Sequence, residues 1–150
     1  HGVNLITDPD LMLIMRDGPA LIEINLISNL LLDYVDDYSQ HPFPEYLRTG
    51  IPVALSTDDR GMWDSTMTDE FFVATTEFNL SWDEIKQLNV NSLKYSFVDE
   101  DTKQKLLTHY DKRVISFEET MTREGMKSLR AVDPDIRSFI CKEYQLCTLK

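Results

Sequence analysis

The sequence predicts an α/β fold in which parallel strands alternate with helical crossovers. Three features point to it. Residues 20–26 (ALIEINL) and 51–55 (IPVAL) are short apolar runs with β-branched residues; helical patterns precede, separate and follow them; and hydroxyls and acids cluster from Ser56 to Asp59 at the end of the second run. Helix and strand alternating in this order imply parallel pairing through crossovers. The carboxyl end of a parallel strand is also where α/β proteins place their chemistry.

The elements follow in order. Thr7-Asp8-Pro9-Asp10 reads as a cap with proline in the first turn, so residues 11–15 form a short helix that Asp17-Gly18 ends. Residues 20–26 form a buried strand, with Ser28 and Asn29 just beyond it. His41-Pro42-Phe43-Pro44 starts a short helix through Leu47, and Gly50 suits the left-handed position past its end. Residues 51–55 are the next strand. From Thr68 the pattern is helical, with Phe71, Phe72 and Thr75 on one face, and Ser81-Trp82-Asp83-Glu84 is a capping box for a second helix ending near Tyr95. Asp99 caps a third that extends past Lys112. Periodicity weakens after Glu118 and Asp133-Pro134 marks a turn, so residues 1–118 form the main unit and 119–150 a C-terminal helical or irregular extension.

With 150 residues and 42% hydrophobic content, the chain can bury a core of ordinary globular type. A formal net charge of −11 works against binding nucleic acid, where Lys and Arg must displace condensed counterions. The most apolar stretch, residues 20–32, is too short to span a bilayer and is broken by Glu23, Asn25, Ser28 and Asn29, so no membrane role is expected. Cys141 and Cys147 match no zinc or redox spacing and can bridge or stay free. Two strands do not close a sheet. The remaining strands are expected from sequence upstream of His1 or from a second chain, and the abrupt opening His1-Gly2-Val3 fits an upstream continuation.

Adjacent carboxylates at Asp58 and Asp59 are the sharpest chemical feature. Neighbouring residues at a strand end point in different directions, so one can hold a metal while the other faces substrate. A helix N-terminal acid pair or a solvated loop is the plain alternative. A Mg²⁺-dependent phosphohydrolase is disfavoured, because no glycine-rich phosphate cradle is present.

Leu55-Ser56-Thr57-Asp58-Asp59, after Gly50-Ile51-Pro52-Val53-Ala54 and before Trp63, Ser65 and Thr66, resembles the last-strand motif of the adenosine deaminase family. Three further stretches match in order: His1-Gly2, the end of a Gly-His-Gly motif; Glu23-Ile24-Asn25 through Ser28-Asn29; and residues 88–92 with Ser96-Phe97. The resemblance covers roughly residues 1–115. His41-Pro42-Phe43-Pro44 and Trp63 lean toward the growth-factor-related branch. Arg60 stands where the family often has proline, and Asn25-Leu26-Ile27 replaces its usual Cys-Pro or Asn-Pro.

The resemblance implies the C-terminal portion of a (β/α)8 TIM-type barrel that performs zinc-dependent hydrolytic deamination of adenosine or 2′-deoxyadenosine. It implies Asp58 as a Zn²⁺ ligand that also contacts the attacking water, Asp59 as a hydrogen-bond partner of the purine near N7, and His1 as the group that orients the attacking hydroxide. Ser28 and Asn29 become structural support, while His41 is a loop residue, His109 faces solvent, and Trp63, Phe71 and Phe72 are core or pocket wall. The family's His-x-His pair, its further His and its catalytic Glu do not occur in these residues, so residues 1–150 alone are expected to be inactive. AMP is a poorer fit than a nucleoside, because Arg60 is the only cation close to the acids. The alternative is a purine-binding or interaction protein on the same barrel without turnover. A cytoplasmic location is the expectation, with a secreted or periplasmic one the alternative that the growth-factor-related resemblance raises.

Overall fold

The computed structural model describes residues 1–131 and 139–146. Helix α1 (Pro9–Asp17) starts where the sequence places it: the Asp8 carboxylate accepts the Leu11 N–H at 2.9 Å and Pro9 occupies the first turn. Strands β1 (Ile22–Ile24) and β2 (Val53–Leu55) pair in parallel, with Ile22 opposite Val53 and Ile24 opposite Leu55. Both are shorter than the apolar runs that contain them. Pro52 can accept from Ile22 but has no N–H to donate, so the ladder of β2 begins at Val53. At the other end the Leu26 and Ile27 N–H groups leave the strand direction and donate to the two carboxyl oxygens of Glu70, at 2.9 and 3.3 Å. The chain turns there into α2 (Leu26–Leu31), which carries Ser28 and Asn29.

The crossover to β2 continues through a 3₁₀ turn (Tyr38–Gln40) and α3 (Phe43–Arg48), after which Gly50 takes the left-handed conformation (φ 86°). Beyond β2 come α4 (Arg60–Trp63), α5 (Met67–Phe78) and α6 (Trp82–Lys94). Thr66 and Ser81 open α5 and α6 with complete capping boxes. Helix α6 lies on β2, where Asn91 Nδ2 donates to the Val53 carbonyl at 2.8 Å. Helix α7 runs unbroken from Glu100 to Glu124, capped by Asp99, and is tied to α6 through Glu118, which accepts from Trp82 Nε1 and Lys86. None of the described helices is long and apolar enough to cross a membrane.

Ile24, Leu26, Ile27, Phe43, Tyr46, Val53, Val73 and Ala74 are fully buried, placing the core between the strands, α2, α3 and α5. Each large apolar side chain among them contributes about 1.5–3 kcal/mol. Helix α8 (Phe139–Glu143) closes the outer side of α5: the Ile140 N–H donates to Asp69 at 3.1 Å, Phe139 N–H to the Asp64 carbonyl at 2.8 Å, and Phe72 and Tyr144 meet edge to face. Cys141 is disulfide-bonded; Cys147 and the expected turn at Asp133-Pro134 lie outside the described residues.

Asp69 and Glu70 are both fully buried neighbours on α5, and burial pushes the Glu70 carboxyl up to about 8 against the pull of its two backbone donors. An unfolded Glu ionises near 4.5. Between these values the folded protein holds a proton that the unfolded chain has lost, so this group's contribution to stability falls as pH rises through the window. Glu70→Gln offers one acceptor to two backbone donors and should destabilise the protein by about 1–3 kcal/mol. It should also flatten the decline in stability between pH 4.5 and about 8. Urea unfolding of both proteins on either side of that window checks both outcomes.

Candidate functional site

The site is built where the two strands end together. Ser56 N–H donates to the Ile24 carbonyl at 2.8 Å, and Asn25 Nδ2 to the Ser56 carbonyl at 3.0 Å, locking the two carboxyl ends side by side. The chain then turns at Asp58, whose φ of 50° is left-handed, a region Asp enters more readily than most residues. This brings Asp58 to α2, where the buried Ser28 hydroxyl donates to Asp58 Oδ2 at 2.8 Å. Oδ1 takes no hydrogen bond among the described residues. Asp59 stands at the N-cap of α4, yet its side chain makes no capping bond. The plain reading of the acids as a helix cap therefore does not account for Asp59's carboxylate.

His1 reaches the same place from the far end of the sequence. Gly2 holds a left-handed conformation (φ 68°) against β1, so close that a Cβ there would lie 2.5 Å from Ile22 Cγ2. The Tyr46 hydroxyl clamps the segment by donating to the Gly2 carbonyl at 2.8 Å and accepting the Ile6 N–H at 2.8 Å. The imidazole of His1 then sits with Nδ1 3.8 Å from Asp58 Oδ2 and 3.4 Å from Asn29 Nδ2. Tyr34 flanks it at 5.9 Å between ring centres, and an open cavity of about 490 Å³ lies alongside, lined by His1, Asn4, Leu5, Leu11 and Tyr34.

Behind Asn29 lies His41, which is only 3% exposed. Its Nδ1 accepts the Phe43 N–H at 3.1 Å, and its Nε2 faces Asn29 Oδ1 at 3.0 Å. Burial pushes this imidazole down to about 4.

The structure thus brings His1 and Asp58 together and adds Ser28 and Asn29 as direct contacts, while Asp59, next in sequence to Asp58, is exposed at the start of α4. His109 is exposed on α7, while Trp63, Phe71 and Phe72 pack against the core. His41, Tyr34, Tyr46 and Glu70 were not singled out by the sequence as site or support residues. An apolar turn around His41 hints at burial, but its partner lies 12 residues away and Tyr46's lies 44 away. Among the described residues no group of three or more His, Cys, Asp or Glu side chains could enclose a metal ion. What is present fits one corner of a metal site: a carboxylate steadied through one oxygen, with the other oxygen open.

A protein-family model described as adenosine deaminase matches residues 1–113. The adenosine deaminase of Enterococcus faecalis is 33% identical over 106 residues, which cover 71% of this chain and 32% of that protein. The adenosine deaminase of Plasmodium gallinaceum is 34% identical over 110 residues, covering 73% and 30%. Among solved structures, the adenine deaminase from Arthrobacter aurescens superposes with a TM-score of 0.72 at 27% identity, covering 76% of this chain and 35% of that one. The chain spans about a third of the length of the curated relatives it matches.

Neutral His41 has a measurable consequence. The unfolded chain protonates a His near 6.5 and the folded protein does so only near 4, so His41's contribution to stability is lost as pH falls through this interval. NMR titration of histidine ring resonances should find His41 neutral until about pH 4. A midpoint at the ordinary imidazole value would contradict the buried placement.

Proposed function

Since the chain belongs to the adenosine deaminase family, we propose that in the whole protein it forms one wall of a purine deaminase site. The reaction is the zinc-dependent hydrolytic conversion of adenosine or 2′-deoxyadenosine to inosine or 2′-deoxyinosine, with release of ammonia. One observation carries this reading: a carboxylate held by Ser28 through one oxygen, with the imidazole of His1 beside it and the uncommitted carboxylate of Asp59 next in sequence. The named relatives, adenosine deaminases and an adenine deaminase, support the same reaction class.

On this reading β1 and β2 are the last strands of a (β/α)8 barrel. In support, each strand has one hydrogen-bonded neighbour among the described residues, and Phe97 is wholly exposed beside an open cavity formed with residues 19–23 and Tyr95. Further strands of the protein would cover this edge and bring the remaining metal ligands.

Asp58 would hold the zinc ion through its open oxygen, while the Ser28 bond keeps the carboxylate from rotating away. Zinc, when bound, supplies the Lewis acidity that makes water a nucleophile near neutral pH. His1 orients the attacking water toward C6 of the purine and faces the negative charge that develops. Asp59 reads the ring: N7 is an acceptor, so the carboxyl must present a proton to it. Arg60 alone adjoins the acids and is exposed, a weak provision for a phosphate, which favours a nucleoside over a nucleotide.

In the whole protein, Asp58→Ala should remove bound zinc and at least about 10³ of kcat/KM, whereas His1→Ala should retain zinc and lose about 10²–10⁴ in kcat. Metal analysis beside steady-state kinetics separates the two roles, and equal metal loss in both variants would overturn the assignment. Residues 1–150 by themselves should bind zinc weakly and show no turnover.

A site built to hydrogen-bond a substrate atom rejects an analogue that lacks it. 7-Deazaadenosine should accordingly be a far poorer substrate than adenosine, and Asp59→Ala should shrink that discrimination while keeping zinc. Comparison of kcat/KM for both nucleosides in both proteins decides it; full discrimination in the variant would mean that Asp59 does not read N7.

A further inference from the structure

The bonds behind His1 run in one direction only. A backbone N–H can only donate, so Phe43 at 3.1 Å fixes Nδ1 of His41 as an acceptor and places the proton of the neutral ring on Nε2. That proton needs an acceptor, and Asn29 Oδ1 stands 3.0 Å away. Asn29 is then no longer free to flip, because exchanging its amide atoms would set an NH₂ group against an N–H. Its Nδ2 must face His1, at 3.4 Å from Nδ1. An amide nitrogen donates and does not accept, so Nδ1 of a neutral His1 receives the bond and Nε2 carries the hydrogen. Asn29 is fully buried and His41 nearly so, which shields the bond between them from competing water.

We propose that Asn29 and His41 are positioning residues for His1: a directed chain of hydrogen bonds from the Phe43 backbone N–H fixes the plane of the His1 imidazole and the nitrogen that carries its proton. The donor edge of His1, Nε2–H, is thereby turned away from Asn29. The kinetic part of this inference rests on the deaminase reading above; the tautomer part does not.

The test uses the whole protein with ¹⁵N-labelled histidine. Long-range ¹H–¹⁵N spectra should show both His41 and His1 as Nε2–H tautomers, without any need for turnover. Asn29→Asp replaces the donor facing His1 with a second acceptor, and should move the His1 proton to Nδ1 while His41 stays unchanged. His41→Leu frees the Asn29 amide and should lower kcat for adenosine about tenfold to a hundredfold, with KM and bound zinc within about twofold. His41→Gln, whose amide can donate to Asn29 Oδ1, should recover most of that loss, which a merely space-filling role would not predict. An Nδ1–H tautomer at His1 in the unaltered protein overturns the proposal. So does an unchanged His1 tautomer in Asn29→Asp, or a His41→Gln protein as slow as His41→Leu. Expected tautomers in a protein without turnover would uphold the chain of bonds and sink the deaminase reading instead.

Discussion

Everything at the site depends on the parallel pairing of β1 with β2. Because Ile24 lies opposite Leu55, the residues that leave the two strands emerge side by side, and Ser28 meets Asp58 across 30 residues of sequence. Side chains alternate along a strand, so a slip of one residue would turn Ile22 and Ile24 outward and bring the exposed Glu23 into the core. The register is therefore enforced by burial. The Asn25 amide reinforces it from the polar end by bridging to the Ser56 carbonyl.

What could be read in the sequence was mostly local. Caps at Asp8, Ser81 and Asp99, the stop at Gly50 and the acids after β2 are all written within a few residues of the structure they specify. The strands were legible as apolar runs but not in length. Their limits are set by Pro52, which lacks an N–H, and by Glu70, whose carboxyl captures the chain from 44 residues downstream. Ser28 and Asn29 were visible as polar residues after a strand, yet nothing nearby shows that they lie in a helix and are wholly buried. Apolar periodicity likewise cannot reveal that a histidine preceding Pro42 packs beneath Asn29, because such a contact belongs to the crossover as a whole.

The chain's acidity and the neutrality of the groups behind the site are two sides of one arrangement. With a formal charge of −11, the surface carries many unpaired carboxylates that stay in water. Beneath it, burial holds the Glu70 carboxyl protonated into the neutral range and keeps His41 uncharged, so these two polar groups are enclosed without charge.

The adjacent acids of α5 look in opposite directions: Glu70 inward to the start of the helix bearing Ser28 and Asn29, Asp69 outward to α8. Two adjacent residues of α5 thus tie α2 to α8. For anyone trimming or fusing the protein, its C-terminal stretch is not a neutral handle. Removing α8 would strip Asp69 of its Ile140 donor and open its buried side chain to water, and the disturbance would begin one residue from the Glu70 carboxyl that anchors the site helix.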